Sequence, residues 1–66
     1  MLEHARVIDG RMVLDGVFGV VYNINSLDQI DGNLSDLRWR PDHPDIDRLL
    51  DARKWVPLLQ GSRRPD

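Results

Sequence analysis

Two rhythms of apolar and polar residues divide the chain. Between His4 and Ile24 the apolar positions recur every second residue, and β-branched side chains concentrate in the run V-I-D-G-R-M-V-L-D-G-V-F-G-V-V-Y-N-I. From Pro44 onward they recur at three- and four-residue spacing. The first rhythm predicts strands and the second a helix. Two Asp-Gly steps, Asp9-Gly10 and Asp15-Gly16, interrupt the strand region. Asp-Gly between alternating apolar runs is the strongest short-range hairpin signal, because both central positions of a type I′ turn need positive φ. The expected arrangement is a meander of three strands, residues 4–8, 11–14 and 17–24.

Tight turns fix the register. Around Asp9-Gly10, Ile8 should face Arg11, Val7 should face Met12 and Arg6 should face Val13. The same logic carried through Asp15-Gly16 puts Met12, Leu14, Val17 and Val21 on one face, with Val13, Phe18, Val20, Tyr22 and Ile24 on the other. Both faces are then apolar, whereas a small antiparallel sheet with one wet face shows cleaner alternation. Either the helix covers one face and a second subunit the other, or one Asp-Gly is a wider bend that changes the register. Gly19, in a strand interior, favours some irregularity. On the first reading Met12, Leu14, Val17 and Val21 form a self-association surface.

Past the meander the signals shorten. Ser26 with Gln29 has capping-box spacing, but Gly32 follows closely enough to limit the helix to a single turn. Ser35–Arg40 reads as a short edge strand, with Leu37 and Trp39 on one side and Arg38 and Arg40 on the other. Pro41 disfavours helix at the residue before it. Asp42-His43-Pro44-Asp45 is a helix start, with proline at the first position and acids against the N-terminal dipole. The helix should run from Pro44 to Lys54 or Trp55, with Ile46, Leu49 and Leu50 as its apolar stripe. Arg53 falls near the middle of that stripe and must reach water or a carboxylate. Residues 62–66 have nothing to bury and are expected to form a disordered tail. The fold class is therefore α+β, a small antiparallel three- or four-stranded β-meander followed by one C-terminal α-helix, in a single domain over residues 1–61.

Composition narrows what such a domain needs. A chain of 66 residues buries only about 60% of the surface its unfolded form exposes. The sequence has no cysteine, so disulfides and the usual structural zinc sites are both excluded. Small domains in that position draw stability from another subunit, and a homodimer is expected. The two histidines, His4 and His43, are too few for a metal clip, and the run around Gly32 lacks the ligands of a calcium loop. No metal or cofactor is expected. No stretch has the length of a membrane span and the first residues lack a secretory pattern, which points to the cytoplasm. The preference for Arg over Lys and Asp over Glu suits a GC-rich bacterial or phage genome.

Charge and chemistry point toward binding rather than catalysis. Residues 1–33 carry two arginines against five acids, and residues 34–66 carry seven cations against six aspartates. That interleaving cancels the basic field a dedicated nucleic-acid binder needs. No nucleophile set, phosphate loop or paired carboxylates stands out, so the chain reads as non-enzymatic. Arg38-Trp39-Arg40 places a large apolar anchor between two fork-shaped donors, the residue types richest at interface hot spots. Trp55, with Arg53 and Lys54 beside it, makes a second grouping. The expected function is a small protein-binding module, regulatory, inhibitory or accessory, whose partner contacts are Arg38, Trp39, Arg40, Arg53 and Trp55. The alternative is a nucleic-acid-binding regulator in which the Arg- and Trp-containing C-terminal half tracks phosphates and stacks on bases.

Overall fold

A computed structural model describes residues 3–61, so the expected tail at 62–66 lies outside the described residues. Three strands, β1 (Ala5–Ile8), β2 (Arg11–Asp15) and β3 (Val21–Asn23), precede two helices, α1 (Leu27–Asp36) and α2 (Asp45–Gly61). The sheet is antiparallel in the order β1-β2-β3. The class is α+β, as the sequence predicts, with two helices instead of one.

The first hairpin follows the sequence reading residue by residue. Ile8 pairs with Arg11, Val7 with Met12, Arg6 with Val13 and Ala5 with Leu14. Asp9 and Gly10 both take positive φ, +52° and +76°, as a two-residue turn matched to strand twist requires. The second hairpin departs from the tight-turn register and takes the other course the sequence left open, a wider bend with a changed register. Asp15 stays in β2 and pairs with Val21, Leu14 pairs with Tyr22 and Val13 with Asn23. The ladder continues through Gly16, whose N–H donates to the Val20 carbonyl at 2.6 Å. The turn is thus Val17-Phe18-Gly19, and β3 is shorter than expected.

Moving the turn changes which residues meet. A tight Asp15-Gly16 turn would oppose Leu14 to Val17, whereas Leu14 opposes Tyr22, five positions on. An odd shift sends each side chain to the other set. Leu14 therefore joins Tyr22 and Ile24 in the core with Ile30, Leu49, Ala52 and Val56, and Met12 packs against that cluster. The two-apolar-face problem disappears, because the four residues expected on one exposed face do not share one. On the outer face Arg6 forks around Asp15 at 2.9–3.1 Å.

α1 corrects two further expectations. Ser26 caps it, accepting the Gln29 N–H at 3.2 Å, while Gln29 Oε1 accepts the Asn25 N–H. The helix then continues for ten residues. Gly32 in a helix costs about 1 kcal/mol against alanine, but it faces open space and Leu27, Ile30 and Leu34 pack on the core at helical spacing. Ser35–Arg40 forms no strand; Leu37 caps α1 and a turn follows.

α2 buries Leu49, Ala52 and Val56, with Leu50 exposed and Ile46 half-buried. It runs through Pro57. The carbonyl deprived of a donor there is that of Arg53, an exposed residue where water can replace the lost bond. Of the two outcomes open to Arg53, water or a carboxylate, it takes the second, donating to Asp31 Oδ1 at 2.6 Å and tying α2 to α1. Among the described residues no helix is long and apolar enough to cross a membrane.

Candidate functional site

The β2–β3 turn, the α1–α2 connector and the start of α2 converge at one end of the molecule. Gly19 N–H donates to the Gly16 carbonyl at 3.2 Å and Gly19 has φ +91°. That is a three-residue hairpin loop whose last residue is left-handed, a conformation for which glycine carries no side-chain penalty.

Asp45, the first residue of α2, holds the loop. Its side chain has 0% exposure. Oδ1 accepts the Val17 N–H at 2.8 Å and Oδ2 accepts the Tyr22 hydroxyl. His43 Nδ1 accepts the Asp45 backbone N–H at 3.1 Å and lies 3.7 Å from Oδ2. Arg48, one turn along, donates from Nη1 to the Asp15 carbonyl at 2.6 Å. The network reaches the loop, β2, β3 and the connector from a single helix terminus.

Gly16 leaves room for this arrangement. A Cβ there would lie 2.6 Å from Asp45 Oδ2, 2.8 Å from the Val20 carbonyl oxygen and 2.9 Å from the Tyr22 ring. The glycine of the second Asp-Gly thus serves close approach rather than a turn.

Burying a carboxylate costs several kcal/mol unless it is paired and hydrogen-bonded. Burial alone would raise the Asp45 pKa, but the bonds from Tyr22 and Val17, with His43 and Arg48 nearby, hold it below the ordinary value. The same contact acts oppositely on its partner. Burial and the bond to Asp45 push the Tyr22 hydroxyl up to about 12. Among the described residues no buried side-chain polar atom lacks a partner.

What this network presents to solvent is apolar. Phe18 is 70% exposed, and Val17, Val20 and Val21 are also exposed. The Phe18 ring meets His43 edge-on, centroids 5.5 Å apart at 83°, which joins the loop to the connector. In the connector Trp39 is 77% exposed. The Arg38 guanidinium sits 4.9 Å from the Trp39 ring centroid, and its Nη1 donates to the Ser35 carbonyl and Oγ at 3.1 and 2.8 Å. Arg40 is exposed, and its carbonyl accepts the His43 N–H at 2.9 Å.

Of the residues the sequence singles out, Arg38, Trp39 and Arg40 are exposed in the connector, which meets the loop through His43. Arg53 does not join them; it is paired with Asp31, whose carboxyl that bond holds below its ordinary pKa. Trp55 is half-buried against the core, with Nε1 donating to Asp51 Oδ2 at 3.0 Å. Val17 and Val21 are exposed beside Phe18, while Leu14 is core and Met12 is partly buried. Sequence reasoning missed Phe18, His43 and Asp45. Phe18 lies in an apolar run that reads as strand interior, with Gly19 as its one irregularity. Nothing local marks Asp45, whose partners lie 23 and 28 residues away.

Two shallow, open hollows are lined by Asn23, Gln29, Gly32, Asn33 and Asp36, and by Glu3, His4, Asp47, Arg48 and Asp51. The Asp45 carboxylate opens into neither. No group of three or more His, Asp or Glu side chains placed to hold a metal ion occurs among the described residues. No family model matches the chain, and neither the curated proteins nor the solved structures contain a match.

Proposed function

We propose that the protein is a small non-enzymatic protein-binding module whose recognition surface is the end carrying Phe18 and Trp39. The observation that supports this reading best is the pairing of a buried charge with an exposed apolar loop. Asp45 fixes Val17-Phe18-Gly19 from beneath, and Arg38, tied to Ser35, braces Trp39. Both aromatic residues are therefore held in place before any partner arrives, which lowers the entropy lost on binding. Trp, Tyr and Arg are the residue types that dominate binding energy at interfaces.

The surface suits a protein with an apolar recess for Phe18 and Trp39 and carboxylates at its rim for Arg38 and Arg40. Binding there would act by occluding the partner's own surface or by assembling it with others. The test is affinity capture from the native host with the full chain, Phe18→Ala and Trp39→Ala side by side. A protein retained by the wild type and lost with both variants, while each variant keeps its folded spectrum, supports the reading. Equal capture by all three ends it. A partner that is nucleic acid would show itself by affinity falling steeply between low and moderate salt.

A further inference from the structure

The outer edge of β1 pairs with no other strand among the described residues, and it is a surface remote in kind from the aromatic end. Asp15 N–H donates to the His4 carbonyl at 2.8 Å, which makes 4 and 15 a hydrogen-bonded pair. In an antiparallel ladder bonded and non-bonded pairs alternate, so Arg6 and Ile8 spend their backbone groups on Val13 and Arg11. Ala5 and Val7 turn their N–H and C=O groups away from β2, to the outside of the sheet. β1 is a short edge strand, four residues long, with no proline, no lysine and no bulge, and among the described residues no helix or loop pairs with that edge. Its one charge, Arg6, is already engaged by Asp15 across the outer face.

We propose that β1 pairs antiparallel with β1 of a second copy of this chain, forming a two-fold dimer with a continuous six-stranded sheet. A two-fold pairing centred on Val7 lets the two Val7 residues exchange both backbone bonds. It sets Arg6 of one copy opposite Ile8 of the other. The alternative centred on Arg6 opposes two arginines and is disfavoured. Self-match of the edge is the argument for a second copy over an unrelated strand.

Side chains favour the same occupant. Val7 is 67% exposed although it lies on the face that carries the helices, across from Met12. The flank of α2 on that side is identified by Arg48, bonded to Asp15 of β2, and by the hollow that Asp47, Arg48 and Asp51 share with Glu3 and His4. Helical spacing continues that flank through Trp55 to Leu58 and Leu59, and Leu58 is 72% exposed. In the joined sheet both helical layers lie on one face, and these apolar residues of the two copies flank the shared edge. The pairing also supplies the subunit partner that a small cysteine-free chain calls for, on a surface that leaves Phe18 and Trp39 free.

Light scattering and backbone amide exchange on the full chain test this. The expected result is twice the monomer mass at high concentration, with the Ala5 and Val7 amides protected there and exposed on dilution. Val7→Lys, which puts a charge on an already exposed position, should return the protein to a monomer with its fold and partner capture intact. Val7→Pro, which removes the outward N–H and fixes φ at a position where edge strands accept proline, should do the same. A monomer at all concentrations overturns the proposal. So does a dimer whose Val7 amide exchanges freely or which survives both substitutions, and so does protection that appears only when an unrelated extended peptide is added.

Discussion

The chain uses the dipeptide Asp-Gly twice, and the two copies do different work. At Asp9-Gly10 both residues take positive φ and nothing lies within 4 Å of where a Gly10 side chain would begin. The dipeptide is itself the turn, and its reasons are local. At Asp15-Gly16 the aspartate is a strand residue and the glycine is crowded by Asp45, Val20 and Tyr22. The turn forms two residues later, and its reasons are tertiary. Identical letters specify a turn only where nothing distant competes for the backbone that would make it.

The competitor is Asp45, and its removal should have the largest effect. Asp45→Ala leaves the Val17 N–H and the Tyr22 hydroxyl without their acceptor in a buried site. The expected loss is about 3–5 kcal/mol, read by urea denaturation. A loss no larger than that of an exposed aspartate such as Asp28 would show the network to be incidental. Next come the two glycines. Gly16→Ala must displace a carboxylate oxygen, a backbone oxygen and a ring, at a cost of about 1–3 kcal/mol or more. Gly10→Ala meets no atom and has only the left-handed backbone to contend with, roughly 1 kcal/mol. Equal losses would abolish the distinction between the two Asp-Gly steps.

The titration of the pair at the second site gives a smaller signal at both ends of the pH scale. Asp45 is held below its ordinary pKa when folded, so its contribution is complete above the unfolded value and declines as pH falls through the folded one. Tyr22 is held up, at about 12. Its contribution is complete below pH ~10, the ordinary tyrosine value, and is lost as pH rises toward the folded value. Stability measured against pH should therefore fall on both flanks, and Tyr22→Phe should flatten the alkaline one. A flank unchanged in Tyr22→Phe would mean that another group sets it. The smallest effect belongs to the exposed tryptophan. Trp39→Ala should change stability by no more than about 0.5 kcal/mol, while Trp55→Ala, which strips a half-buried side chain from the core margin, should cost clearly more.

The same division between local and distant causes explains what the sequence makes legible. The first hairpin, its register and the start of α2 are read correctly, because turn chemistry and capping act over a few residues. The face assignment of Met12 and Leu14 fails, because one misplaced turn inverts a period of two. α1 is foreshortened by giving Gly32 the weight of a stop signal; the spacing of Leu27, Ile30, Leu34 and Leu37 is the stronger cue, and Gly32 merely faces solvent. Arg38, Trp39 and Arg40 are visible as a candidate site from residue type alone. Phe18 is hidden by its place in a run that reads as strand interior.

The reach of Asp45 also separates what is held locally from what is held at a distance. Its bonds to Val17 and Tyr22 cross 28 and 23 positions of chain, and Arg48 reaches back 33 to Asp15. The first hairpin needs no such help and can close as soon as its own residues are free to meet. The Val17-Phe18-Gly19 loop closes with its own bonds at Gly16, but its anchor on Asp45 exists only where α2 is docked. A fragment carrying residues 1–26 would lack Asp45, and the aromatic tip would lose that anchor. The anchored form of the loop is therefore coupled to the docking of α2.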